Sequence, residues 1–480
     1  MMNTEILIKI WLYSTVLIGS QFMQAQNLVG NIILASDEFD GTGDAVAISD
    51  VGNRIIVGSD LKTVNNVEKA GVTKVYQLNG DTWEQLGQDI SGTLDDEEVG
   101  NSVCISSDGN RIAVGSSLGA MVYDLVGSSW QQVGSLLTLP IMEAGADIDE
   151  LKFSDDANTI VVGGNSTGIE VVVFELSGNQ WVQKGNDLPI DLRLDVALSG
   201  DGNRIAAYAA STVQQFDKDI HVYEFQNNVW TIVGDIIKLP DGYRWSEAFD
   251  MAGNGKRVIT ALENKNGSSD GAIATYDLID GAWVLNESFP SLDVFTTFGP
   301  SLRVSHDGNT FVFGNSYDFS VIDETSVVVY QFINEQWELL GSMLPGATHD
   351  ESAEGHVDIT ADGSRIVMGG NKNSPGDFRG FVKVYDYGAF VGVEDQTNKT
   401  DVKLYPNPTS GNFTVKMSEL NSAITDIVVY DIWGQTILSE RIQSSSKKYQ
   451  FSIASQPAGI YIVKLMNEEQ EFLTEKVIKL

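Results

Sequence analysis

Carboxylates are the residues of this 480-residue sequence whose number and spacing could support chemistry. Aspartate and glutamate total 66 against 30 lysines and arginines, which gives a formal net charge of −36. Clustered carboxylates bind divalent cations such as Ca²⁺, contact the hydroxyl groups of glycans, or act in pairs on a glycosidic bond. The predicted ligand face consists of such clusters and one tryptophan: Asp95, Asp96, Glu97, Glu98, Asp147, Asp149, Trp245, Asp350 and Glu354.

A simpler interpretation of the same clusters is a solvated acidic rim that keeps the protein soluble, and the sequence favours this rim over a ligand site. The acids are too numerous for one catalytic pair to be singled out. We therefore predict no catalytic residue, no metal-ligand set and no cofactor, and we keep Ca²⁺ as a candidate ion. An acidic surface repels phosphate backbones, which excludes nucleic acid as a partner.

Histidine and cysteine are too scarce to suggest another kind of catalysis. Of four histidines, His349 and His356 flank an acidic cluster and could join a metal site with Asp350 and Glu354. The single cysteine, Cys104, lies in an alternating apolar segment, so we predict a buried residue and no internal disulfide. The sequence contains no nucleophile motif, phosphate loop or zinc spacing. An enzyme is therefore the weaker interpretation.

The elements that must carry these clusters are seven copies of a strand, a short turn and a second strand. The clearest copy runs from Ser102 to Gly115 around the turn at residues 108–110. A third strand follows each copy, and in six copies so does a fourth strand that begins near a tryptophan. Four strands that recur about every 50 residues are typical of a β-propeller. We predict an all-β fold with a seven-bladed propeller over residues 26–387, and the acidic clusters lie where one blade leads to the next.

The tryptophan series predicts packing between blades rather than a cofactor site. Five of the six tryptophans are followed by glycine four residues later, as Trp83 is by Gly87. The seventh copy lacks its tryptophan strand, and aligning Gly30 with Gly87 brings Gln26 to the tryptophan position. Residues 26–33 are therefore predicted to form the outer strand of the last blade and to close the ring.

A smaller constellation lies on the first strands of the copies. Asp250, Arg303 and Asp358 occupy the same position relative to their turns in the fifth, sixth and seventh copies. We expect Arg303 to lie between the two carboxylates near the central channel. A structural ion belt is the preferred interpretation of this set, and a substrate clamp is the alternative.

The amino-terminal residues 1–25 have the pattern of a signal peptide. Lys9 supplies the positive flank, and the apolar run Ile10–Ile18 is too short to span a bilayer. Cleavage is predicted between Ala25 and Gln26. No other stretch is long and apolar enough to predict a transmembrane helix.

The repeat pattern, as in Gly100-Asn101-Ser102-Val103 through Gly115, resembles the FG-GAP propeller repeats of integrin α-chain type. The resemblance covers residues 26–387. The turns here contain one acid in most copies, whereas calcium-binding members of that family have alternating acids. The resemblance therefore implies the propeller fold without the family's calcium sites.

A second resemblance covers residues 402–480, after a predicted linker at 388–401. It rests on the segments Leu404–Gly411, Val428–Gln435 and Pro457–Leu465 and on a basic tail. These segments are similar to the type A C-terminal sorting domain of the type IX (Por) secretion system. The matching motif residues are Pro406, Asn407, Pro408, Gly411, Gly459, Tyr461, Lys476 and Lys479.

This second resemblance implies an Ig-like β-sandwich that directs an exported chain across the outer membrane of a Gram-negative cell. The implied partner is the type IX secretion machinery, and the implied location is secreted or attached to the cell surface. We therefore predict a secreted or cell-surface binding or adhesion module for a glycan or protein ligand. The alternative is a glycan hydrolase with its carboxylates on the acidic face.

Overall fold

The computed structural model describes residues 26–38, 40–140, 147–164, 171–188, 196–210, 218–264, 271–288, 301–314, 326–333, 336–341, 344–345, 351–372, 379–387, 402–405, 409–417, 424–431, 436–441, 448–457, 459–467 and 472–479. Throughout these residues the structure is all β, without a helix. None of them therefore forms a helix that is long and apolar enough to cross a membrane. The chain divides into two compact units, Met1–Ala389 and Phe390–Leu480. The predicted signal peptide and the predicted linker lie outside the described residues.

The described strands of the first unit form seven antiparallel sheets, which we number by their first strands. Sheet 1 contains β3 (Ala45–Ile48), β4 (Arg54–Ser59), β5 (Val72–Asn79), β6 (Thr82–Gln85) and β7 (Ile90–Ser91). Sheet 2 contains β8 (Val103–Ile105), β9 (Arg111–Ser116), β10 (Gly119–Val126) and β11 (Ser129–Gln132). Sheet 3 contains β12 (Glu150–Phe153), β13 (Thr159–Gly163), β14 (Val171–Ser177) and β15 (Gln180–Gln183). Sheet 4 contains β16 (Val196–Leu198), β17 (Arg204–Ala210), β18 (Lys218–Gln226) and β19 (Val229–Ile232).

The remaining sheets of this unit follow the same plan. Sheet 5 contains β20 (Tyr243–Met251), β21 (Arg257–Asn264), β22 (Gly271–Ile279) and β23 (Ala282–Ser288). Sheet 6 contains β24 (Ser301–Val304), β25 (Thr310–Gly314), β26 (Ser326–Ile333), β27 (Gln336–Leu339) and β28 (Leu344–Pro345). Sheet 7 contains β29 (Glu351–Ile359), β30 (Arg365–Lys372) and β31 (Gly380–Tyr387), joined by β1 (Gln26–Leu28) and β2 (Ile33–Leu34). The predicted four-stranded repeat units are thus confirmed as antiparallel sheets, in a propeller-like arrangement.

The turn between the first and second strands is held by its own polar side chains. In sheet 2 the Asp108 carboxylate accepts the backbone N–H of Asn110 at 2.9 Å and the Ser106 hydroxyl at 2.8 Å. These hydrogen bonds outweigh partial burial and keep the pKa of Asp108 below its usual value. The acid of the turn is therefore used within the turn.

Each sheet packs on both of its neighbours because alternate residues of a strand point to opposite faces. Ile56 belongs to a buried cluster with Ile112 and Val114 of sheet 2, whereas Ile55 packs with Val367 of sheet 7. The first strands contact one another in the order β3, β8, β12, β16, β20, β24 and β29, and β29 contacts β3. The core of this unit therefore lies between successive sheets.

The amino-terminal strand pairs with the last strand of the same unit. In the antiparallel register of β1 and β31, Gln26 lies opposite Tyr387 and Leu28 opposite Tyr385. The short strand β2 continues this edge, with Ile33 opposite Val382. Sheet 7 is thus made from both ends of the first unit.

The tryptophan and glycine series is explained by contacts between neighbouring sheets. Gly87 has φ +82°, and a Cβ there would lie 2.6 Å from Cδ1 of Trp130 in the next sheet. Trp130 is buried, and its Nε1–H donates to the Leu86 carbonyl at 2.9 Å. At sheet 7 the same place is taken by Gln26, whose Nε2 lies 2.6 Å from the Cβ position of Gly341. The glycine is needed because the indole of the next sheet lies directly on its backbone.

An arginine that follows the turn ties most sheets to the next one. The Nη1 groups of Arg54, Arg111, Arg204, Arg257 and Arg365 donate to the carbonyls of Gly109, Ala157, Gly255, Gly308 and Gly52 at 3.0, 2.8, 3.0, 2.9 and 2.6 Å. Sheet 3 has Thr159 at this position, and there Lys184 Nζ donates to the Gly202 carbonyl at 2.6 Å. Through Arg365 the series links sheet 7 to sheet 1.

The second unit consists of two antiparallel sheets. One contains β32 (Val402–Tyr405), β33 (Asn412–Met417) and β36 (Lys448–Ser452). The other contains β34 (Ile424–Asp431), β35 (Thr436–Arg441), β37 (Gly459–Asn467) and β38 (Phe472–Lys479). Phe413 and Phe451 of the first sheet share one buried cluster with Val429, Val463 and Val477 of the second. The two sheets therefore enclose a single core.

Candidate functional site

The predicted acidic cluster 95–98 is folded against the preceding loop of sheet 1. Asp95 accepts the backbone N–H of Glu68 at 2.9 Å, and Lys69 lies 3.8 Å from Asp96 and 3.6 Å from Glu98. Within the cluster, one Glu97 oxygen accepts the backbone N–H groups of Thr93 and Leu94 at 2.6 and 3.0 Å. Each of these carboxylates therefore has a structural contact that an incoming cation or glycan would have to share.

The other residues of the predicted face are described only in part. Asp147 lies at the start of a described segment, and burial raises its pKa. Asp149 is exposed, and its backbone N–H donates to the Gly163 carbonyl at 3.0 Å. Trp245 and Glu354 lie in β20 and β29, but their side chains are outside the described residues, as are Asp350 and His349.

Asp60 directly follows β4 and lies near Glu98 of the acidic cluster 95–98. Sequence reasoning missed it. Burial, reinforced by the nearby Glu98 carboxylate, raises the pKa of Asp60 to about 6. Its Oδ1 atom is buried without a hydrogen-bond partner among the described residues. A carboxyl group with such a pKa can act as a general acid near neutral pH.

The described residues of the first unit also line a partly open cavity of about 160 Å³, formed by the first strands of all seven sheets and the residues just after them. Its charged lining comprises Asp50, Lys152, Asp155, Asp250, Arg303, His306 and Asp358. Sequence reasoning placed Asp250, Arg303 and Asp358 near the central channel, and all three line this cavity, but it missed Asp50, Lys152, Asp155 and His306. It lies toward the turn ends of the first strands, whereas the predicted acidic face lies at their other ends.

An ion pair between sheets 3 and 6 lies at the inner end of this cavity. Arg303 Nη2 donates to Glu150 Oε1 at 3.0 Å, and Lys152 Nζ lies 3.2 Å from the same oxygen. Burial opposes ionisation of Glu150, but the two cations outweigh burial and hold its pKa below the usual value. Sequence reasoning assigned Arg303 to Asp250 and Asp358 and missed Glu150.

Asp250 and Asp358 share one role, which the sequence analysis did not predict. Asp250 Oδ2 accepts the backbone N–H of Val304 in sheet 6, and Asp358 Oδ2 accepts that of Ile48 in sheet 1, both at 2.9 Å. Each carboxylate thus holds the first strand of the following sheet. Burial raises the pKa of Asp358 despite the nearby Lys152 and Arg303.

His356 lies on β29, two residues before Asp358, and the charges of Glu150 and Arg303 act on it. Burial and the Arg303 guanidinium together lower its pKa to about 4. Its imidazole is therefore neutral at pH 7. The metal site that the sequence suggested for His356 would need Asp350 and the Glu354 side chain, which lie outside the described residues. The described residues contain no group of three or more metal-ligating side chains that could hold an ion.

A second contact between sheets 3 and 6 lies at the turn end of the cavity. His306 Nε2 lies 2.9 Å from Asp155 Oδ2, and the two side chains are 45% and 52% exposed. A Cβ at Gly200 would lie 2.4 Å from the Asp155 carboxylate, and one at Gly253 would lie 2.2 Å from the His306 ring. These glycines of sheets 4 and 5 therefore leave the space that the pair occupies.

Two further groups complete the lining. Burial raises the pKa of Asp50, and the Asp155 carboxylate adds to this effect. The Cys104 thiol is buried, as predicted, and burial raises its pKa well above the usual value, so it is not a thiolate at neutral pH. The cavity is thus a polar space with dispersed charges and no activated nucleophile among its described residues.

The sorting-motif residues of the second unit meet at one end of its core. Lys479 Nζ donates to the carbonyls of Ala454, at 2.8 Å, and Gln456. A Cβ at Gly411 would lie 2.6 Å from Ala454 Cα, and the Tyr461 hydroxyl donates to the Pro457 carbonyl at 2.8 Å. Gly459 begins β37. Pro406, Asn407 and Pro408, the side chain of Lys476, and Ala25 of the predicted cleavage site are outside the described residues.

Comparison with known proteins identifies one part of the chain. Residues 403–480 match the family model of the secretion system C-terminal sorting domain. In a sequence search, none of the curated proteins matched the chain.

Three solved structures are similar to the chain at low sequence identity. Hydrazine synthase of Kuenenia stuttgartiensis has 11% identity and a TM-score of 0.46 over 70% of this chain and 93% of that one. A putative 6-phosphogluconolactonase from Bacteroides uniformis has 12% identity and a TM-score of 0.41 over 64% and 84%. The periplasmic gluconolactonase of Pseudomonas aeruginosa has 13% identity and a TM-score of 0.44 over 65% and 86%.

The match over residues 403–480 and the paired sheets of the second unit agree with the sequence prediction for this region. The carboxy-terminal domain of this protein is a secretion system C-terminal sorting domain, which directs export through the type IX system to a secreted or cell-surface location.

Proposed function

We propose that this protein is an exported binding module whose body is a seven-bladed β-propeller closed by its own amino-terminal strand. The proposal rests above all on the sorting domain at residues 403–480, which is joined to a unit of seven sheets. Closure is supported by three contacts at the junction: β1 pairs with β31, Arg365 donates to the Gly52 carbonyl, and Gln26 lies on Gly341.

Cleavage of the predicted signal peptide after Ala25 would leave β1 (Gln26–Leu28) intact. The mature chain would then begin with the strand that completes sheet 7. We also propose that the repeats are of the FG-GAP-like type. The support for this is their organisation in four-stranded units.

The proposed ligand is a glycan or a protein, bound at the loops that precede the first strands. Two features support binding over catalysis. The Asp149 side chain on this face is exposed to solvent, and the buried Cys104 thiol, with its raised pKa, is not an activated nucleophile. Loops on a rigid sheet framework are also the usual place for recognition.

The test is a glycan array and a surface-protein pull-down with the mature chain, followed by variants. Asp149→Asn and Trp245→Ala, on the proposed face, should weaken any captured ligand. Asp81→Asn, an exposed acid on a hairpin turn, is the matched control because it removes the same charge elsewhere. Equal binding by all three variants would place the ligand away from this face.

A glycan hydrolase is the second candidate, and one observation favours it. The Asp60 carboxyl, whose pKa burial and the Glu98 carboxylate raise to about 6, meets one requirement of a glycosidase general acid. A panel of chromogenic glycosides would test this candidate. Turnover that disappears in Asp60→Asn but persists in Asp81→Asn would favour the enzyme, and absence of turnover would favour the binding module.

A further inference from the structure

The two contacts between sheets 3 and 6 mark the two ends of the axial cavity. The Arg303–Glu150 pair, at 3.0 Å, lies at the inner end, and the His306–Asp155 pair, at 2.9 Å, lies at the turn end. Between them the wall is built from the first strands of all seven sheets. The partial exposure of His306 and Asp155 shows that solvent reaches the turn end.

The wall of this cavity is richer in negative than in positive charge. Aspartates of four sheets line it: Asp50 of sheet 1, Asp155 of sheet 3, Asp250 of sheet 5 and Asp358 of sheet 7, the last two also accepting a backbone N–H of the next sheet. The two cations of the wall, Lys152 and Arg303, both contact the Glu150 carboxylate, so their charge is partly compensated. A positively charged ligand would therefore gain energy on entering.

The carboxylates are spread around the wall instead of converging on one point. Among the described residues no three metal-ligating side chains come close enough to hold an ion. Dispersed acceptors suit a ligand whose N–H donors point in several directions, as those of an ammonium or guanidinium group do. A compact divalent ion needs six or more oxygens around one centre and fits this wall poorly.

The turn end is also shaped to hold its polar pair in place. Gly200 and Gly253 lie in sheets 4 and 5, directly beneath the Asp155 carboxylate and the His306 ring. Neither glycine has the positive φ that would by itself call for glycine. Gly200 and Gly253 therefore serve to leave space for the Asp155 and His306 side chains.

We propose that the axial cavity is a binding site for a small organic cation with an ammonium or guanidinium group, which enters at the turn end past Asp155 and His306. This site lies at the opposite ends of the first strands from the proposed glycan or protein face and is independent of it. Burial raises the pKa of both Asp50 and Asp358, and a bound cation would stabilise their ionised forms.

Isothermal titration calorimetry of the full chain with cadaverine tests the proposal, with pentanediol as the uncharged analogue. The buffer should contain salt near physiological ionic strength, which screens loosely held counterions. We expect saturable binding of cadaverine and none of pentanediol. Asp50→Asn and Asp155→Asn should each weaken cadaverine by about tenfold, the effect of roughly 1.4 kcal/mol. Asp81→Asn, which removes an equal charge from an exposed turn, should have no effect.

Gly200→Ala provides a second variant in case Asp50→Asn does not fold. The new methyl group would displace the exposed Asp155 carboxylate and should weaken cadaverine without a change in net charge. The proposal is wrong if cadaverine gives no saturable heat, if pentanediol binds equally well, or if the Asp81→Asn variant loses as much affinity as the cavity variants. None of these outcomes changes the result expected from the glycan array. The proposed cation site and the proposed glycan or protein face can therefore be refuted independently.

Discussion

The contact between Gly87 and Trp130 offers a direct test of how neighbouring sheets recognise each other. Gly87 has φ +82°, and a Cβ there would lie 2.6 Å from Cδ1 of Trp130. Gly281 has almost the same φ, +83°, but apart from its chain neighbours no heavy atom of the described residues lies within 4 Å of its Cβ position. Gly87→Ala and Gly281→Ala therefore introduce the same backbone strain, and only the first introduces a collision.

The size of the difference follows from the contact itself. A left-handed backbone costs either alanine about 1–2 kcal/mol. At Gly87 the methyl group must also displace a buried indole, and overpacking of this kind costs about 1–3 kcal/mol. The hydrogen bond from Trp130 Nε1 to the Leu86 carbonyl is weakened as well, which adds about 1 kcal/mol. We expect Gly87→Ala to destabilise the chain by about 2–4 kcal/mol more than Gly281→Ala.

Urea unfolding followed by tryptophan fluorescence measures this difference as a change in midpoint. The two variants should have similar m-values, so that the midpoint shift reports stability. Equal destabilisation by both substitutions would refute the reasoning, because backbone strain alone would then explain the glycines and the tryptophan series would not mark contacts between sheets.

Three further predictions follow from other parts of the structure. Deletion of residues 26–34 removes β1 and β2 from sheet 7 and should strongly lower the melting temperature in calorimetry, and an unchanged value would contradict closure. Because burial lowers the pKa of His356 to about 4, the unfolded chain gains a proton first as the pH falls from about 7 to 4, and folding loses on the order of 3 kcal/mol. His356→Asn should reduce this loss, measured as the fall in urea midpoint between pH 7 and pH 5. An equal fall in the variant and the unchanged chain would show that the imidazole is not held neutral. Deletion of residues 402–480 should leave the protein in the periplasm, and surface labelling of the truncated chain would overturn that expectation.

The repeat units were predictable because each one carries local signals. Asp108 and its neighbours form a turn from residues within five positions of one another, and alternating apolar residues mark the strands on either side. The spacing between tryptophan and glycine also had physical meaning, since Gly87 lies on the indole of Trp130. The match of residues 403–480 likewise rests on local motifs.

The axial cavity could not be predicted in the same way, because its pairs are far apart in the chain. Glu150 and Arg303 are separated by 153 residues, and Asp155 and His306 by 151. The alignment of the copies did contain a signal for this cavity. Asp50, Asp155 and His306 occupy the same position in their copies, directly after the serine that follows the first strand. Only the arrangement of sheets shows that these equivalent positions face one another.

The acidic loops illustrate a different limit of sequence reasoning. The cluster 95–98 looked like an open ligand face, yet its carboxylates contact backbone N–H groups and Lys69. Such contacts depend on how the loop folds back on its neighbour, which charge density alone does not reveal.

Closure of the ring by the amino-terminal strand is tested most directly by a disulfide between β1 and β31. Leu28 lies opposite Tyr385, and the Val29 N–H donates to the Val384 carbonyl at 2.8 Å, so the 28–385 pair is the closely spaced, non-hydrogen-bonded kind. Leu28→Cys with Tyr385→Cys, in a Cys104→Ala background, should form a disulfide on mild oxidation that peptide mass spectrometry detects. Leu28→Cys with Asp386→Cys, one residue out of register, should not. Absence of the first disulfide, or equal formation of both, would contradict the account.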